Sequence, residues 1–393
     1  MDNNIYITNY WWAANYGAVL TNYALETILQ ENNRTAINMD NSYYGQILYE
    51  FKKEFHLRFN QRYINSIPIR LAKKLNENST FIVGSDQVFR YSLTKPIYKS
   101  FLMDFVPQNS KKIVFAASFG VDKEQFLKET PAEIINEIKK SLNSFDFISV
   151  REKSGVEICR DVFGIVAEWI IDPVFILNKS KYEDILEKST ADYSNKIVAH
   201  LVANSDKKID SSQGNQVVNL HTTNISVEEW LKAIKTCKLL IADSYHAICF
   251  AIIFNKPFIV ITRQKHASSR FDSIFEMLGI ENQCVNSIEE IYERDCVFKI
   301  DWDAVNRRIE EERRRGLKFL KKALDAPCGK FEEKQAVRTK YLEERVAELE
   351  SQANLKYQIK KELWNLWLVI FHKYLPEPVK NIIRLARDKY VRK

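Results

Sequence analysis

Short apolar runs that end in small or polar residues recur through most of the chain, and each run leads into a stretch with helical spacing. Phe81–Val83 leads into Gly84–Gln87 in this way, and Leu239–Ala242 leads into Asp243–His246. Runs of this length suit a buried strand and are too short to span a membrane. Strands and helices in alternation predict an α/β fold built on parallel sheets, with the strand ends lined along one crevice.

The alternation pauses after Asp172–Pro173 and resumes with the apolar run in "NKIVAHLV". We therefore predict two Rossmann-like domains that face one another, with a boundary near Phe175–Ser180. Helical residues from about Asp303 to Asp325 are expected to close the second domain. The predicted units are residues 1–175, residues 176–328 and a helical C-terminal extension at residues 329–393.

Composition and charge are those of a well-cored soluble protein, with 46% hydrophobic and 28% charged residues among 393. The formal net charge of +7 suits an anionic ligand or a membrane surface, and it does not require nucleic acid. The six cysteines form no CxxC pair, so we expect no disulfide or zinc framework and a reducing compartment. Neither a signal peptide nor a run of about 18 apolar residues is recognised, which predicts a cytoplasmic protein.

Several motifs that would define other enzyme classes do not occur in the chain. The glycine-containing loops lack both the GxGxxG and the GxxxxGK[ST] pattern, so dinucleotide binding and P-loop hydrolysis are unsupported. HExxH and GxSxG do not occur either, and His, Cys and carboxylate residues show no metal-ligand spacing. We therefore expect no essential metal and no cofactor.

The segment Asp243–His246 joins a predicted strand to a predicted helix. Open α/β sheets bind ligands at this kind of junction, where the first N–H groups of the helix attract anions. Asp243 or Ser244 is also a residue type that caps a helix. His246 falls just inside the helix, where its ring could face a ligand, so a structural and a functional interpretation both remain open.

An ordered set of segments connects the chain with a known family. The segments are Asn15–Ala18 with the helix that follows, "VGSDQVF", "AASFG", "SVREKSG", "DPVFIL", "DSYHAICFAIIFNKPFIVI" and "RFDSIFEMLGI". In this order they resemble the polysaccharide pyruvyl transferase family, over roughly Ile5 to Ile280. The resemblance implies two Rossmann-like domains in a GT-B-like arrangement with the active site in the cleft. It also implies transfer of pyruvate from phosphoenolpyruvate onto two hydroxyls of a hexose, which leaves a cyclic ketal.

The resemblance also implies a set of catalytic residues. His246 resembles the family's catalytic histidine, Arg151 matches the arginine of its "SvRe" motif, and Lys265 matches an active-site lysine. Arginine grips carboxylate and phosphate groups with a fixed fork of donors, and histidine carries protons near neutral pH. The alternative for Arg151 is a surface ion pair with Glu152 or Asp172.

Further residues are predicted to contact a substrate. We expect Lys265 or Arg270 to contact the phosphate. Asp86 is expected either to bind sugar hydroxyls or to cap a helix, and His200 is expected to be a core residue. Asn15 and Tyr16 suit a wall of the donor or acceptor site, and a simple turn is their alternative. The predicted substrate contacts are Asn15, Tyr16, Gly17, Asp86, Ser118, Ser244 and Arg270.

The C-terminal extension has no counterpart in the resemblance. Leu342, Val346, Leu349 and Ala353 follow a coiled-coil spacing. An apolar stretch and a basic helical pattern come after Leu363, and together they suit an interfacial anchor on anionic lipid. Packing on the protein itself or on a second subunit is the alternative.

The resulting hypothesis is a pyruvyl transferase of surface polysaccharide assembly, cytoplasmic or peripheral on the inner face of the plasma membrane. Its expected substrates are phosphoenolpyruvate and a hexose-containing glycan, which is free or lipid-linked. The C-terminal extension is expected to contact an anionic membrane or a second copy of the chain in a homo-oligomer. The alternatives are a GT-B-type glycosyltransferase that uses a nucleotide sugar and a non-catalytic scaffold.

Overall fold

The computed structural model describes most of the two predicted domains. The described residues are 4–10, 15–40, 66–75, 78–95, 97–107, 109–202, 209, 216–220, 225–262, 269–281, 283–293 and 300–327. Lys265 and the predicted extension at 329–393 therefore lie outside the described residues.

The described strands of the first half form one parallel sheet. They are β1 (Asn4–Thr8), β2 (Thr35–Asp40), β3 (Ser66–Pro68), β4 (Thr80–Val83), β5 (Lys111–Ala117), β6 (Phe147–Val150) and β7 (Glu168–Trp169). Their order is β3-β2-β1-β4-β5-β6-β7, with every pair parallel. This is a doubly wound order that reverses between β1 and β4, and ligands bind at the carboxyl ends of strands beside such a reversal.

Helices cover both faces of the first sheet. They are α1 (Tyr16–Glu31), α2 (Tyr91–Thr94), α3 (Tyr98–Leu102), α4 (Lys123–Glu129), α5 (Ala132–Leu142) and α6 (Lys153–Ile158), with a 3-10 helix at Ile69–Lys74 and a π turn at Cys159–Phe163. In α5 the buried residues are Ile134, Ile138 and Leu142. Their spacing of four places one apolar stripe on the core and leaves the charged residues outside.

The described strands of the second half form a smaller parallel sheet. They are β8 (Lys196–His200), β9 (Gln216–Asn219), β10 (Leu239–Ala242), β11 (Phe258–Ile261) and β12 (Cys284–Val285), in the order β12-β11-β10-β8-β9. The helices are α7 (Pro173–Ile176), α8 (Lys179–Leu186), α9 (Val227–Thr236), α10 (Tyr245–Ile253), α11 (Ser269–Leu278), α12 (Glu289–Glu293) and α13 (Trp302–Asp325). This sheet also reverses its order, between β8 and β10. The predicted α/β class, with two Rossmann-like units in a GT-B-like arrangement, is confirmed.

A continuous apolar core joins the two halves. The first-half helix α1 packs against α7 and α10 of the second half, and residues of both sheets belong to one buried cluster. Every residue of α10 is buried, because this helix is apolar on all sides and has neighbours all round. The contact between the halves therefore places the start of α10 against the start of α1.

The long helix α13 packs on both halves. It contacts α11 of the second half, as expected, but its last turns lie on the first sheet, where Phe319 stacks on Phe115 at 6.1 Å between ring centroids. Lys111 Nζ donates to the carbonyl of Leu324 at 2.7 Å. Gly316 permits close approach, since a Cβ there would overlap Ile176. The apolar face of α13 thus covers part of the first sheet, where Phe319 contacts Phe115 of β5 and Phe147 of β6.

None of the helices in the described ranges is both long enough and apolar enough to cross a membrane.

Candidate functional site

Arg151 directly follows β6 and is 2% exposed. Its Nη1 donates to Asp172 Oδ2 at 2.7 Å and lies 3.4 Å from Ser85 Oγ. The ion pair that we considered as an alternative is therefore present, but it is buried and not on the surface. Burial alone would lower the pKa of Arg151, but the surrounding carboxylates, Asp172 foremost, raise it above its usual value.

The other edge of the Arg151 guanidinium, formed by Nε and Nη2, lies near two carboxylates but forms no hydrogen bond with them. Nη2 lies 3.6 Å from Asp86 Oδ1, and Nε lies 3.8 Å from Glu152 Oε2. Neither nitrogen forms a hydrogen bond within the described residues, although both are buried. The Nε–Nη2 edge is one that arginine can present to a carboxylate or phosphate in a two-pronged contact. Nη1 is thus fixed by protein groups, and the opposite edge keeps unused donors.

Asp172 was not among the predicted site residues, yet it is central to the site. It is fully buried, and its Oδ2 accepts a hydrogen bond from Ser85 Oγ at 2.9 Å in addition to that from Arg151. Burial would raise the pKa of Asp172, but His246 and Arg151 hold it well below its usual range. Its Oδ1 accepts from the N–H of Val174 and caps α7. The sequence signal was the Asp-Pro pair, because a helix often starts with such a cap followed by proline.

His246 lies in the first turn of α10 and is 6% exposed. Its Nε2 is 2.9 Å from Thr21 Oγ1 and 3.4 Å from Arg151 Nη1, and the tautomer decides which partner donates. Arg151 and His246, which the resemblance implies are catalytic, therefore lie next to each other. Thr21 was missed, because nothing in a helical sequence pattern distinguishes it from other small core residues.

A protonated His246 would sit beside the positive charge of Arg151. At an effective dielectric constant of about 20, two unit charges 3.4 Å apart repel by roughly 5 kcal/mol. Asp172 Oδ2 lies 3.6 Å from Nε2 of His246. Its negative charge offsets this repulsion.

Arg270 and Tyr245 complete the cationic part of the site. Cζ of Arg151 lies 4.3 Å, and Cζ of Arg270 lies 5.7 Å, from the centroid of the Tyr245 ring. Arg270 Nε is buried and has no hydrogen-bond partner in the described part of the chain. Burial and then the charge of Arg151 lower the pKa of Arg270 to about 10, so Arg270 is still a cation at neutral pH. Both guanidinium groups thus keep buried donors without a hydrogen-bond partner in the described residues, while Asp86 and Glu152 lie beside the Nε–Nη2 edge of Arg151.

Asp86 and Ser118 meet at the ends of β4 and β5. Asp86 adopts a φ of +92°, a strained conformation that is often found at functional sites. Its Oδ1 accepts from the N–H of Gln87 at 2.7 Å, and no helix starts there, so the capping alternative is wrong. Ser118 is fully buried and its N–H donates to Asp86 O. Substrate contact by Ser118 stays a prediction.

The residues predicted in the first loop, Asn15 to Gly17, lie at the start of α1 and pack next to the site. Asn15 caps α1 through hydrogen bonds from the N–H groups of Gly17 and Ala18. A Cβ at Gly17 would overlap the His246 imidazole, so glycine makes room for that ring. The ring of Tyr16 stacks on Trp230 at 5.2 Å. The structure thus gives these residues packing contacts, and their contact with substrate stays a prediction.

Asp243, Ser244 and His200 lie at the carboxyl ends of β10 and β8. Ser244 occupies the N-cap position of α10, but its side chain makes no capping hydrogen bond. Asp243 Oδ1 accepts from the N–H of Val202 at 2.6 Å. His200 is buried and packs against the rings of Tyr16 and Trp230, as expected for a core histidine.

No group of three or more His, Cys, Asp and Glu side chains within the described ranges is arranged to hold a metal ion. The site is instead a cluster of two arginines, one histidine and three carboxylates at the junction of the two halves.

The family comparison agrees with the location of this site. The family model described as polysaccharide pyruvyl transferase matches residues 15–265, which is more than half of the 393 residues. The matched range includes Arg151, Asp172 and His246. No curated protein matches the chain.

Several solved structures are similar to the chain. Wall teichoic acid polymerase TagF is 11% identical, over 83% of this chain and 90% of that chain, with a TM-score of 0.45. UDP-GlcNAc 2-epimerase from Neisseria meningitidis, bound to UDP-GlcNAc, is 7% identical over 82% of this chain and 99% of that chain, with a TM-score of 0.47. UGT89C1 from Arabidopsis thaliana is 8% identical over 81% and 98% of the two chains, with a TM-score of 0.44.

Proposed function

The chain belongs to the polysaccharide pyruvyl transferase family, and we propose that it transfers pyruvate from phosphoenolpyruvate to two hydroxyls of a hexose as a cyclic ketal. The proposed acceptor is a hexose of a surface polysaccharide or of its lipid-linked precursor. Phosphoenolpyruvate is the donor substrate, and the proposal needs neither a metal nor a cofactor.

The observation that carries this proposal is the set of unused donors on two buried guanidinium groups. Nε and Nη2 of Arg151 and Nε of Arg270 are desolvated and form no hydrogen bond in the described part of the chain. Unpaired buried donors are costly, and a bound anion removes that cost. Phosphoenolpyruvate carries a carboxylate and a phosphate on a three-carbon frame, which suits two neighbouring guanidinium forks.

The proposed reaction makes two bonds at C2 of the donor. One acceptor hydroxyl oxygen adds to C2, and C3 takes up a proton and becomes a methyl group. The second hydroxyl oxygen then replaces the phosphate at C2, so the C2–O bond to phosphate breaks. Of the two hydroxyl protons, one balances the proton added to C3 and the other leaves with the phosphate or to solvent.

His246 is the proposed proton carrier. Its Nε2 lies beside Nη1 of Arg151, and the donor is expected to bind at the other edge of the same guanidinium. A histidine near neutrality can both give a proton to C3 and take one from a hydroxyl. Arg151 holds the donor and stabilises the negative charge of the departing phosphate.

The acceptor is proposed to bind next to the donor. Asp86 is partly exposed, and Ser244 has a hydroxyl that is not used as a helix cap. A carboxylate and a hydroxyl are common partners of sugar hydroxyls, since both form hydrogen bonds in fixed directions. Lys265, outside the described residues, is proposed to contact the phosphate together with Arg270.

We also propose that the enzyme works in the cytoplasm or on the inner face of the plasma membrane. The basis is the sequence of residues 329–393 alone, where an apolar stretch precedes a basic helical pattern.

The test combines binding and turnover with the full chain. Calorimetry measures phosphoenolpyruvate binding without acceptor, and a phosphate assay follows turnover with a panel of hexose acceptors. Mass spectrometry of the acceptor detects a ketal. We expect phosphate release that depends on acceptor and matches the ketal formed one to one. His246→Gln serves as the inactive control.

Two results would contradict the proposal. Binding of nucleotide sugars with no binding of phosphoenolpyruvate would support a glycosyltransferase instead. A chain that binds neither donor, while still folded by circular dichroism, would support a scaffold.

A further inference from the structure

A single oxygen of Asp172 is shared by groups from three different parts of the fold. Oδ2 accepts from Ser85, which follows β4, and from Arg151, which follows β6. The same oxygen lies 3.6 Å from Nε2 of His246, at the start of α10. Asp172 is fully buried, so its charge acts on these neighbours with little screening by water.

We propose that Asp172 is the positioning residue of this site. Its Oδ2 holds Nη1 of Arg151, so that the Nε–Nη2 edge stays available for the donor. Its charge also lets His246 carry a proton beside a guanidinium. The inference rests on the proposed function, because it concerns how that donor is held and how that proton is carried.

The structure separates this role from helix capping. The cap of α7 uses the other oxygen, Oδ1, which accepts from the N–H of Val174 at 3.1 Å. Asparagine caps helices about as well as aspartate, so the cap alone does not need a charge. An Asp172→Asn substitution therefore keeps the cap and removes the charge that faces Arg151 and His246.

The other groups that face Asp172 do not compete for this role near neutral pH. Besides Arg151 and His246, they are Tyr182 on α8 and Tyr245 and Cys249 on α10. Burial raises the pKa of all three well above its usual value, so they remain neutral. Imidazole is the side chain whose charge ordinarily changes between about pH 5 and 8.

The sign of the pH effect follows from this arrangement. Protonation of C3 requires His246 in its charged form, and the negative Asp172 favours that form. Without that charge, the imidazole faces the guanidinium of Arg151 with no opposite charge from Asp172, which disfavours its charged form. The alkaline fall of kcat should therefore move toward lower pH.

The experiment compares the full-length wild type with Asp172→Asn and Asp172→Ser. Asp301→Asn is the matched control, because Asp301 caps α13 through the N–H of Ala304 and lies away from the site. Calorimetry gives the Kd for phosphoenolpyruvate, and kcat at saturating donor is followed from about pH 5 to 9. In Asp172→Asn we expect the Kd to rise about tenfold, kcat to fall roughly 10²-fold and the alkaline limb to shift down.

Each outcome decides the question. An Asp172→Asn enzyme that keeps the wild-type kcat and pH profile would overturn the inference. If neither Asp172 variant folds by circular dichroism, Asp172 is a structural residue and the inference is wrong. A wild type that neither binds nor consumes phosphoenolpyruvate contradicts the proposed function itself, whereas an active wild type with unchanged Asp172 variants contradicts only the inference.

Discussion

Nη1 of Arg151 and Nε2 of His246 lie 3.4 Å apart, although 95 residues separate them in the chain. Arg151 directly follows β6 of the first sheet, and His246 lies in the first turn of α10, which comes after β10 of the second sheet. The pair therefore exists only when both halves are folded and packed together. The proposed site therefore depends on the contact between α1 and α10.

The first prediction concerns His246. We expect His246→Gln to lower kcat roughly 10²- to 10⁴-fold, because glutamine cannot carry the proton to C3. His246 is buried and touches Thr21, so a change in stability is also expected and must be measured by thermal unfolding. His200→Gln is the control, since it removes a buried imidazole from the core beside Trp230. Equal activity loss in both variants would mean that packing, and not proton transfer, explains the result.

The second prediction concerns Gly17. Its hypothetical Cβ overlaps the His246 ring, so Gly17→Ala should displace the imidazole. A displacement of about 1 Å can cost roughly 10²-fold in rate, and we expect such a loss in kcat with a smaller change in donor binding. The control is Gly164→Ala, where φ is +68° and a Cβ would meet nothing within 4 Å. That variant should lose stability through backbone strain and keep its specific activity.

The third prediction concerns Arg270. Removing its charge in Arg270→Met should raise the Kd for phosphoenolpyruvate roughly 10- to 100-fold, because a charge-assisted hydrogen bond is lost. Exposed Arg314 on α13 gives the control variant Arg314→Met. Since the pKa of Arg270 is lowered to about 10, its contribution should be constant near neutrality and disappear above about pH 10. Calorimetry at several pH values checks this, and an unchanged Kd would exclude Arg270 from the donor site.

Much of the fold could be predicted from the sequence, because each buried strand is a short apolar run between polar residues. β10 at Leu239–Ala242 and β4 at Thr80–Val83 agree with the predicted segments. The packing of α13 on Phe115 could not be predicted in this way. Periodicity shows which face of a helix is apolar, and it does not show which sheet that face will cover.

In the candidate site, too, some features follow from local sequence patterns and others depend on how the chain packs. The placement of Arg151 and His246 could be predicted because each follows a recognisable strand and matches a family motif, and their catalytic roles stay predictions. Asp172 and Thr21 were missed as site residues, since their importance comes from contacts with residues far away in the chain. Such contacts depend on how the halves pack, which no local pattern contains.

The fourth prediction concerns a buried carboxylate on α1. Glu26 accepts from Asn22 Nδ2 at 2.7 Å and from the side chain of Asn38, and burial raises its pKa to about 7. The unfolded chain ionises this group at lower pH, so the folded state loses stability as pH rises from about 4.5 to 7. The loss amounts to about 3 kcal/mol at most, from 1.36 kcal/mol per pKa unit. Glu26→Gln should remove it.

Urea unfolding at about pH 5 and pH 8 checks this prediction. Glu26→Gln should be more stable than the wild type at the higher pH and should lose most of that advantage at the lower pH. Glu133→Gln, at an exposed position on α5, is the control and should show no such difference. A stability gain that is equal at both pH values would contradict the role of Glu26 ionisation.

The last prediction concerns the C-terminal extension, which lies outside the described residues. If residues from about Leu363 form an interfacial anchor, a chain that ends before them should no longer bind membranes and should keep its activity on a soluble acceptor. The groups of the proposed site lie between Asn15 and Arg270, so we expect that the reaction does not need the extension. Each Lys or Arg near an anionic surface contributes on the order of 1 kcal/mol and is screened by salt. Binding should therefore require anionic lipid and weaken as salt is added.

Flotation with anionic and neutral liposomes, for the full chain and the shortened chain, measures this binding, and light scattering measures the particle size. The competing interpretation, in which the extension packs on a second subunit, predicts that the shortened chain becomes smaller or aggregates. From Lys373 onward the chain has seven Lys and Arg residues and two acidic residues. An anchor with this positive charge should bind anionic liposomes more strongly than neutral ones. Full-length protein that ignores anionic liposomes at low salt would exclude the anchor, and a change in particle size on truncation would then support the subunit contact.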